Sequence, residues 1–329
     1  MSVFLTGASG FLGGRLAEVL VARGEEVVVL ARASADMRHL SHLPLRIVRG
    51  DLGDLPTLRQ AVRDASQIFH CAACSTDWAP LDTYYAANVA GTKNLLLAAR
   101  DAASLQRFVH VSTSDIYGYP RVPCAESQPM KNIGLPYNST KCQGEVAVWN
   151  ERERSGLPIV ILRPATIYGP RGKAFVTDIA ELLQQGWMAT IDSGKAPGGF
   201  AYVDNVVDAM LQAATVPEAE GEAFNIADGT GATWADYLSL FAATLGTRRP
   251  RINLPFRVAM SVARAMEFPY THLRFGGRPL LTRHAVYLLG LNQEFPVEKA
   301  RRILGFSPRV GLAEGIDRSI AWLKACGQA

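Results

Sequence analysis

Two short stretches of the chain carry residues whose types and spacing could support chemistry. The first, Thr6-Gly7-Ala8-Ser9-Gly10-Phe11-Leu12-Gly13, directly follows the apolar run Val3-Phe4-Leu5. The second lies far downstream, where Tyr137 and Lys141 stand one helical turn apart. A glycine-rich loop of this kind indicates phosphate binding by backbone groups, and a Tyr–Lys pair indicates that a proton can be moved beside it. In this order, the two stretches predict redox chemistry at a carbon–oxygen centre.

The glycine loop has the spacing G-x-x-G-x-x-G, which predicts a dinucleotide site. Gly7 allows the tight turn, Gly10 lets the backbone approach a pyrophosphate, and Gly13 permits close packing of the helix on the strand. An ordinary glycine-rich turn is the alternative, but the position between the first strand and the first helix favours a nucleotide. The residues predicted to contact the cofactor here are Gly7, Ser9, Gly10, Phe11, Leu12 and Gly13.

The ends of the second and third strands bear on which dinucleotide binds. The second strand ends Leu30-Ala31-Arg32-Ala33-Ser34, with no carboxylate before Asp36. Arg32 could pair with a 2′-phosphate, which favours NADP over NAD, whereas an arginine stacked on adenine would suit either cofactor. Asp51, followed by Leu52, could accept a hydrogen bond from the adenine amino group, or it could be a plain turn residue.

Helical spacing places Tyr137 and Lys141 on one face of a helix. A phenol, with a pKa of about 10, is a poor acid–base catalyst at neutral pH, and a neighbouring ammonium group is expected to lower that pKa. Lys141 could also donate to a ribose hydroxyl. Three hydroxyls, those of Ser112, Thr113 and Ser114, follow the fifth predicted strand and could hold a substrate oxygen, although at least one of them is expected to cap a turn.

Short β-rich runs alternate with longer helical patterns. Strands are predicted at Val3–Leu5, Glu26–Leu30, Leu45–Val48, Gln67–His70, Phe108–Ser112, Pro158–Leu162 and Glu222–Ile226. Helices are predicted at Phe11–Arg23, Leu55–Asp64, Asp82–Arg100, Tyr137–Arg154, near Phe175–Gln185, and from a cap at Asp204 to Ala214.

This alternation predicts an α/β fold with a doubly wound parallel (Rossmann) sheet. Residues 1–170 are expected to form the dinucleotide-binding domain, with a return segment near 200–226. Residues 171–329 are expected to form a smaller, mostly helical substrate-binding lobe that is discontinuous in sequence.

Composition narrows the function classes. The chain has 329 residues, 48% of them hydrophobic, and a net charge of +4 without a long basic run, so nucleic acid is not an expected partner. The five cysteines and the absence of a leader pattern predict reduced thiols and a cytoplasmic location. Cys71 and Cys74 form one C-x-x-C pair without a second, so no metal site is expected.

The segment from Leu254 to Phe268 is amphipathic. Packing on the core is its expected role. It could instead close over an apolar substrate or touch a membrane surface, although membrane contact is not expected.

Taken in order, the motifs resemble those of extended short-chain dehydrogenases/reductases, the NAD-dependent epimerase/dehydratase superfamily. The matching segments are Thr6–Gly13, Asp51–Asp54, Asn88–Thr92, Ser112–Gly118, Tyr137–Lys141, Arg163-Pro164, Tyr168–Pro170 and Phe200–Asp204. The resemblance implies that Tyr137 is the general acid/base, Lys141 orients the nicotinamide ribose and Thr113 holds the substrate oxygen. Asn88 would complete a water-linked proton relay or support the strand. Further cofactor contacts are implied at Ala72, Pro164 and Ile167.

Within that superfamily, three segments are similar to the 3β-hydroxysteroid dehydrogenase and dihydroflavonol-reductase-like branch: Arg32–Ser34, Gly277–Arg283 and Phe295–Phe306. This branch implies a ketone or secondary alcohol on a bulky apolar molecule. A nucleotide-sugar epimerase or dehydratase with tightly bound NAD is the alternative, and its diphosphate could use Arg171, Lys173, Lys195, Arg248, Arg249 or Arg251.

A regulator that binds a dinucleotide without catalysis is disfavoured, because Thr113, Tyr137 and Lys141 are all present. The resemblance also implies a homodimer, formed through the helices at Asp82–Arg100 and Tyr137–Arg154.

Overall fold

The computed structural model describes residues 2–273 and 275–327. Within them the strands are β1 (Ser2–Thr6), β2 (Glu26–Ala31), β3 (Arg46–Arg49), β4 (Gln67–His70), β5 (Arg107–Val111), β6 (Ile159–Pro164), β7 (Thr166–Tyr168), β8 (Ala189–Ile191), β9 (Phe200–Tyr202), β10 (Ala223–Ile226) and β11 (Ile252–Leu254). The helices are α1 (Phe11–Ala22), α2 (Leu55–Val62), α3 (Leu81–Tyr85), α4 (Gly91–Ala99), α5 (Pro136–Ser155), α6 (Asp178–Gln184), α7 (Val203–Thr215), α8 (Trp234–Leu245), α9 (Phe256–His272), α10 (Arg283–Gly290), α11 (Glu298–Leu304) and α12 (Leu312–Ala325).

The main sheet has the order β10-β6-β5-β4-β1-β2-β3, and every neighbouring pair is parallel. From β1 the chain first builds outward through β2 and β3, and then crosses back to β4 on the other side. The carboxyl ends of β1 and β4 therefore border the crevice where open sheets of this kind bind ligands. The prediction of a doubly wound parallel sheet is confirmed.

Both faces of the sheet are covered, which explains its continuous apolar strands. In β2, Val27 and Val29 pack into the cluster that includes α1 and α7, while Val28 packs into the opposite cluster with α2 and α4. All three valines are at most 1% exposed. The strand is thus buried on both sides, and alternating polarity would not have identified it.

The carboxyl-terminal half adds a second apolar centre beside the sheet. Its aromatic core includes Tyr168, Phe200, Trp234 and Tyr237, and the Phe200 and Tyr237 rings are stacked with centroids 4.4 Å apart. Two short parallel pairs, β7 with β9 and β8 with β11, brace this part. No helix in the described part of the chain is long and apolar enough to cross a membrane.

The amphipathic segment forms most of α9. Its buried residues Ala259, Met260 and Ala263 pack against Ile191 of β8 and Val286 of α10. The segment therefore packs on the core of this half, which is the first of the three roles considered from sequence.

One local prediction needs correction. Asp204 does not cap α7: the helix begins at Val203 directly after β9, and Asp204 lies in its first turn, where it accepts from the Arg15 Nε at 2.6 Å. The helix predicted at Asp82–Arg100 runs without a break from Leu81 to Ala99, with a π-helical turn over Ala86–Ala90 that contains Asn88.

Candidate active site

The turn between β1 and α1 has the geometry of a phosphate cradle. Gly7 has a φ of +80°, and a Cβ there would lie 2.7 Å from the backbone nitrogen of Ala72. A Cβ at Gly13 would lie 2.3 Å from the carbonyl oxygen of Gly7. Both positions therefore require glycine, one for its backbone conformation and both for the close approach of neighbouring backbone.

The amino terminus of α1 leaves backbone N–H groups available for an anion. Gly10 precedes the first helical residue and provides no side-chain cap, and the first turn has no acidic residue. Ser9 is exposed, and Phe11 and Leu12 are half-buried. Because the positive end of a helix dipole attracts phosphate, these residues fit the pyrophosphate of a dinucleotide.

Two arginines lie together where the adenosine of a dinucleotide would end. Arg32 is exposed at the end of β2, and its carbonyl oxygen accepts from the Arg49 Nη1 at 3.1 Å. Asp36, the first carboxylate after Arg32 in sequence, accepts from the Arg38 Nη2 at 2.6 Å, which holds the pKa of Asp36 well below its usual range. Sequence reasoning missed Arg49, although the parallel register pairs it with Ala31, the neighbour of Arg32.

The other predicted cofactor residues follow the carboxyl ends of the strands. Asp51 is exposed, and its Oδ1 accepts from the backbone of Gly53 at 2.7 Å, which gives it the role of a turn residue. Leu52 is buried against the helices on that face. The remaining members lie just after β4, at the end of β6 and in β7: Ala72, Pro164 and Ile167.

Tyr137 and Thr113 meet at the carboxyl end of β5. Pro136 begins α5 and Tyr137 is its second residue, while Thr113 starts a short turn and accepts from the backbone of Asp115 at 3.2 Å. Burial and the charge of Asp115 raise the pKa of Tyr137, and its side-chain hydrogen bond with Thr113 partly opposes them. The pKa of Tyr137 is therefore raised, opposite in direction to the sequence expectation.

Lys141 lies one turn further along α5 and is buried. Its Nζ donates to the carbonyl oxygen of Val111 at 2.8 Å. Burial lowers the pKa of Lys141 to about 8, and the charge of Glu145 works against that decrease. The ammonium group is thus held at the end of β5, beside Thr113.

Asn88 uses its amide group on protein partners. Its Oδ1 accepts from the backbone of Cys74 at 2.8 Å, and its Nδ2 donates to the Cys74 carbonyl and to the Thr140 Oγ1, both at 3.1 Å. These bonds tie the segment after β4 to α5. Of the two implied roles, support is the one that this geometry displays.

A buried ion pair joins α5 to β6 close to Ser112 and Lys141. Arg163 at the end of β6 and Glu145 on α5 are 2.5 Å apart, and Ser112 donates to the other oxygen of Glu145, also at 2.5 Å. Arg163 further donates to the Tyr117 hydroxyl at 2.8 Å. Ser112 is therefore committed to this buried network.

The structure also brings in residues that sequence reasoning missed. His284, from α10, stacks on the Tyr137 ring with centroids 5.5 Å apart and an interplanar angle of 21°. Its Nε2 lies 3.3 Å from the Asp115 Oδ2, which also accepts from the Tyr119 hydroxyl at 2.7 Å. Asp115 and Tyr119 lie close to Thr113 in sequence, but nothing in the pattern of the second half marks His284.

Together these groups can hold a dinucleotide and move a proton beside it. The cradle and Arg32 lie at the ends of β1 and β2, while Thr113, Tyr137 and Lys141 gather at the end of β5. A polar oxygen placed against Thr113 and Tyr137 could exchange a proton with the phenol. The site thus combines the two capacities that the sequence predicted separately.

Comparison with known proteins agrees with this geometry. The sequence profile of the NAD dependent epimerase/dehydratase family matches residues 3–227. A 4-hydroxy-2-methyl-3-oxo-4-farnesyl-3,4-dihydroquinoline-1-oxide ketoreductase from Stigmatella aurantiaca is 33% identical over 96% of this chain and 95% of its own. A 2-alkyl-3-oxoalkanoate reductase from Stenotrophomonas maltophilia (strain K279a) is 31% identical over 97% of this chain and 98% of its own.

Solved structures show the same fold. The crystal structure of UDP-glucuronic acid 4-epimerase from Bacillus cereus, in complex with UDP-glucuronic acid and NAD, superimposes with a TM-score of 0.80. It covers 99% of this chain and 100% of that chain at 22% identity, so the likeness concerns the fold alone.

Proposed function

This chain belongs to the NAD dependent epimerase/dehydratase family, as an extended short-chain dehydrogenase/reductase, and we propose that it is an NADP-preferring ketoreductase. It transfers hydride between nicotinamide and a ketone or secondary alcohol on a bulky apolar molecule. The observation that carries this proposal is the placement of Thr113, Tyr137 and the buried Lys141 around the carboxyl end of β5.

The chain's own residues supply the proton chemistry. A bound nicotinamide supplies or accepts the hydride. Thr113 holds the substrate oxygen, and Tyr137 gives its phenolic proton to a ketone oxygen or removes one from a secondary alcohol. Lys141, fixed on the Val111 carbonyl, would donate to the ribose of a bound dinucleotide.

The preference for NADP rests on charge at the ends of β2 and β3. Arg32 is exposed at the end of β2, and the Arg49 guanidinium bonds its carbonyl oxygen, whereas the Asp36 carboxylate is paired with Arg38. A 2′-phosphate would therefore find cationic partners in this region.

The names of the two relatives support an apolar ketone as the substrate, because one refers to a farnesyl group and the other to alkyl groups. A nucleotide-sugar epimerase or dehydratase would need free cations for a diphosphate. Two of the six candidate cations are paired with carboxylates: Arg171 with Glu18 at 2.8 Å and Lys173 with Asp178 at 2.7 Å. We favour the ketoreductase because of the names of the two relatives.

Replacement of Tyr137 by Phe tests the proposal. The variant should lose turnover, by at least about a hundredfold, because the phenolic proton is gone, and it should still bind NADPH. Turnover is followed as NADPH consumption with a panel of apolar ketones, and binding by fluorescence titration. Tyr85→Phe is the control, since Tyr85 is 45% exposed.

A near wild-type rate in Tyr137→Phe would contradict the assignment. No net consumption of NADPH with any ketone, together with NAD that stays bound through purification, would favour the nucleotide-sugar alternative instead.

The larger organisation belongs to the same proposal. Residues 1–170, with a return segment near 200–226, act as the dinucleotide-binding domain, and the remainder of 171–329 acts as the substrate-binding lobe. The enzyme works as a homodimer through the α3–α4 and α5 helices.

Five cysteines without disulfide partners support a reducing, cytoplasmic location.

A further inference from the structure

A cavity of about 450 Å³ lies between the loop after β5 and the helices of the carboxyl-terminal half. Its volume is within the range of about 300–1,000 Å³ that is typical of small-molecule sites. It is lined by Tyr119, Arg121, Lys131 and Ile133 on one side and by Phe256, Tyr287 and Leu291 of the carboxyl-terminal half on the other. The mechanism proposed above makes no use of this space.

Tyr119 connects the cavity to the candidate active site. Its φ of +57° follows a φ of +70° at Gly118, so two successive left-handed residues turn the chain at this point. The Tyr119 ring stacks on Tyr287 with centroids 5.4 Å apart, and its hydroxyl donates to Asp115 at 2.7 Å. Since Asp115 also faces His284, which stacks on Tyr137, one layer of side chains separates the cavity from the acid/base.

The walls of the cavity are mainly apolar and aromatic. Phe256 and Tyr287 come from α9 and α10, with ring centroids 6.1 Å apart, and Ile133 and Leu291 add aliphatic surface. Flat aromatic walls of this kind favour a ligand with a substantial apolar body.

Two cations lie at the rim, and no carboxylate lines the cavity. Arg121 and Lys131 are exposed, and neither side chain makes an ion pair or hydrogen bond with any described residue. Arg171 and Lys173, by contrast, are each paired with a carboxylate. Unpaired cations beside an apolar space recognise a molecule that has an acidic group at one end.

We propose that this cavity is a binding subsite for an amphiphilic acid, a molecule with an apolar body and one carboxylate or sulfonate group. The apolar body lies between Tyr119, Phe256 and Tyr287, and the acidic group faces Arg121 and Lys131. This inference rests on the proposed function: the occupant is the part of the ketone substrate that lies away from the reacting carbonyl.

Two dyes of matched shape test the subsite on the full-length protein without cofactor or turnover. Anilinonaphthalenesulfonate has an apolar body and an acidic group, and N-phenylnaphthylamine has the same body without the charge. Both are titrated by fluorescence, and the sulfonate should bind more tightly. In the Arg121→Gln/Lys131→Gln double variant, its affinity should fall about fivefold while that of the neutral dye is unchanged. Arg23→Gln/Arg63→Gln, at exposed positions at the carboxyl ends of α1 and α2, should leave both affinities unchanged.

Filling the space tests the location. Leu291→Trp and Ile133→Trp should each reduce binding of both dyes at least tenfold, with folding checked by circular dichroism and thermal melting. Unchanged binding in a folded filled variant, or an unchanged charge preference in the double glutamine variant, would overturn the proposal. The exposed glutamine variants keep the test decisive even where a tryptophan variant does not fold.

These outcomes are separable from those of the Tyr137→Phe experiment. If Tyr137→Phe is inactive but the dye affinities are unchanged in the cavity variants, the reductase assignment stands and only the subsite proposal fails.

Discussion

The pKa of Tyr137 depends on burial and on the carboxylate of Asp115, which the sequence did not identify as a candidate site residue. Burial and the charge of Asp115 raise the pKa of the phenol, which therefore stays protonated at neutral pH. That is the form required to donate a proton to a ketone oxygen. Lys141, whose pKa is lowered to about 8, keeps most of its charge at neutral pH. The protonated phenol of Tyr137 and the charged Lys141 therefore suit the reduction of a ketone.

The arginine pair at the ends of β2 and β3 gives a prediction about cofactor choice. Arg49→Ala and Arg32→Ala should each weaken NADPH binding about tenfold, because each removes a cation from the 2′-phosphate. NADH affinity should change less than twofold. Both constants come from fluorescence titration or calorimetry of the purified protein.

Arg46→Ala is the control for that prediction, because Arg46 is exposed at the start of β3 and lies at the opposite end of the strand. Equal losses of NADPH and NADH affinity in the Arg32 and Arg49 variants would contradict a role specific to the 2′-phosphate.

At the scale of elements, the sequence predicts best what local pattern encodes. The buried strands, the glycine loop and the Tyr–Lys spacing all lie within single elements or single turns, so their residue types reveal them. Arg49 and His284 reach the site from other elements, and only strand register and the packing of α10 bring them there. Neither has a periodic or spacing signal.

The ion pair beneath the site joins three of these elements. Glu145 on α5 is fully buried, is 2.5 Å from Arg163 of β6, and accepts from Ser112 after β5. Glu145→Ala should lower the free energy of unfolding by about 3–5 kcal/mol, because it leaves a buried guanidinium group without its counter-charge. Denaturant unfolding followed by circular dichroism measures this change.

A matched surface pair calibrates the loss. Arg59 and Asp101 are 2.8 Å apart and each about half-exposed, so Asp101→Ala should cost at most about 1 kcal/mol. Similar losses in Glu145→Ala and Asp101→Ala would show that the buried pair does not hold α5 against the sheet.

At the scale of the whole molecule, the two halves differ in how far the sequence predicts them. The parallel sheet repeats one strand–helix unit, so its first six strands follow from alternation. In the second half, β8 pairs with β11 across about sixty residues, and each strand has only three residues. Such short strands are defined by their tertiary partner, so local propensity does not predict them. The cavity proposed as a subsite for an amphiphilic acid lies between these two halves, so its lining could not be predicted from local sequence pattern.

The outer surface of the α3 and α5 helices gives a prediction about assembly. Leu81, Tyr85 and Val146 are 58%, 45% and 41% exposed, and they belong to two helices that contact each other. Burial of these side chains against a second copy would remove apolar surface from water.

The wild-type protein should therefore have twice the 35.7 kDa mass of one chain in light scattering, and Val146→Asp should reduce the mass to that of one chain. A charge at that position would have to be buried without a partner. Val258→Asp, on α9 and 48% exposed, should remain dimeric. This interface would be ruled out if the wild-type protein had the mass of a single chain, or if Val146→Asp and Val258→Asp both dissociated the dimer.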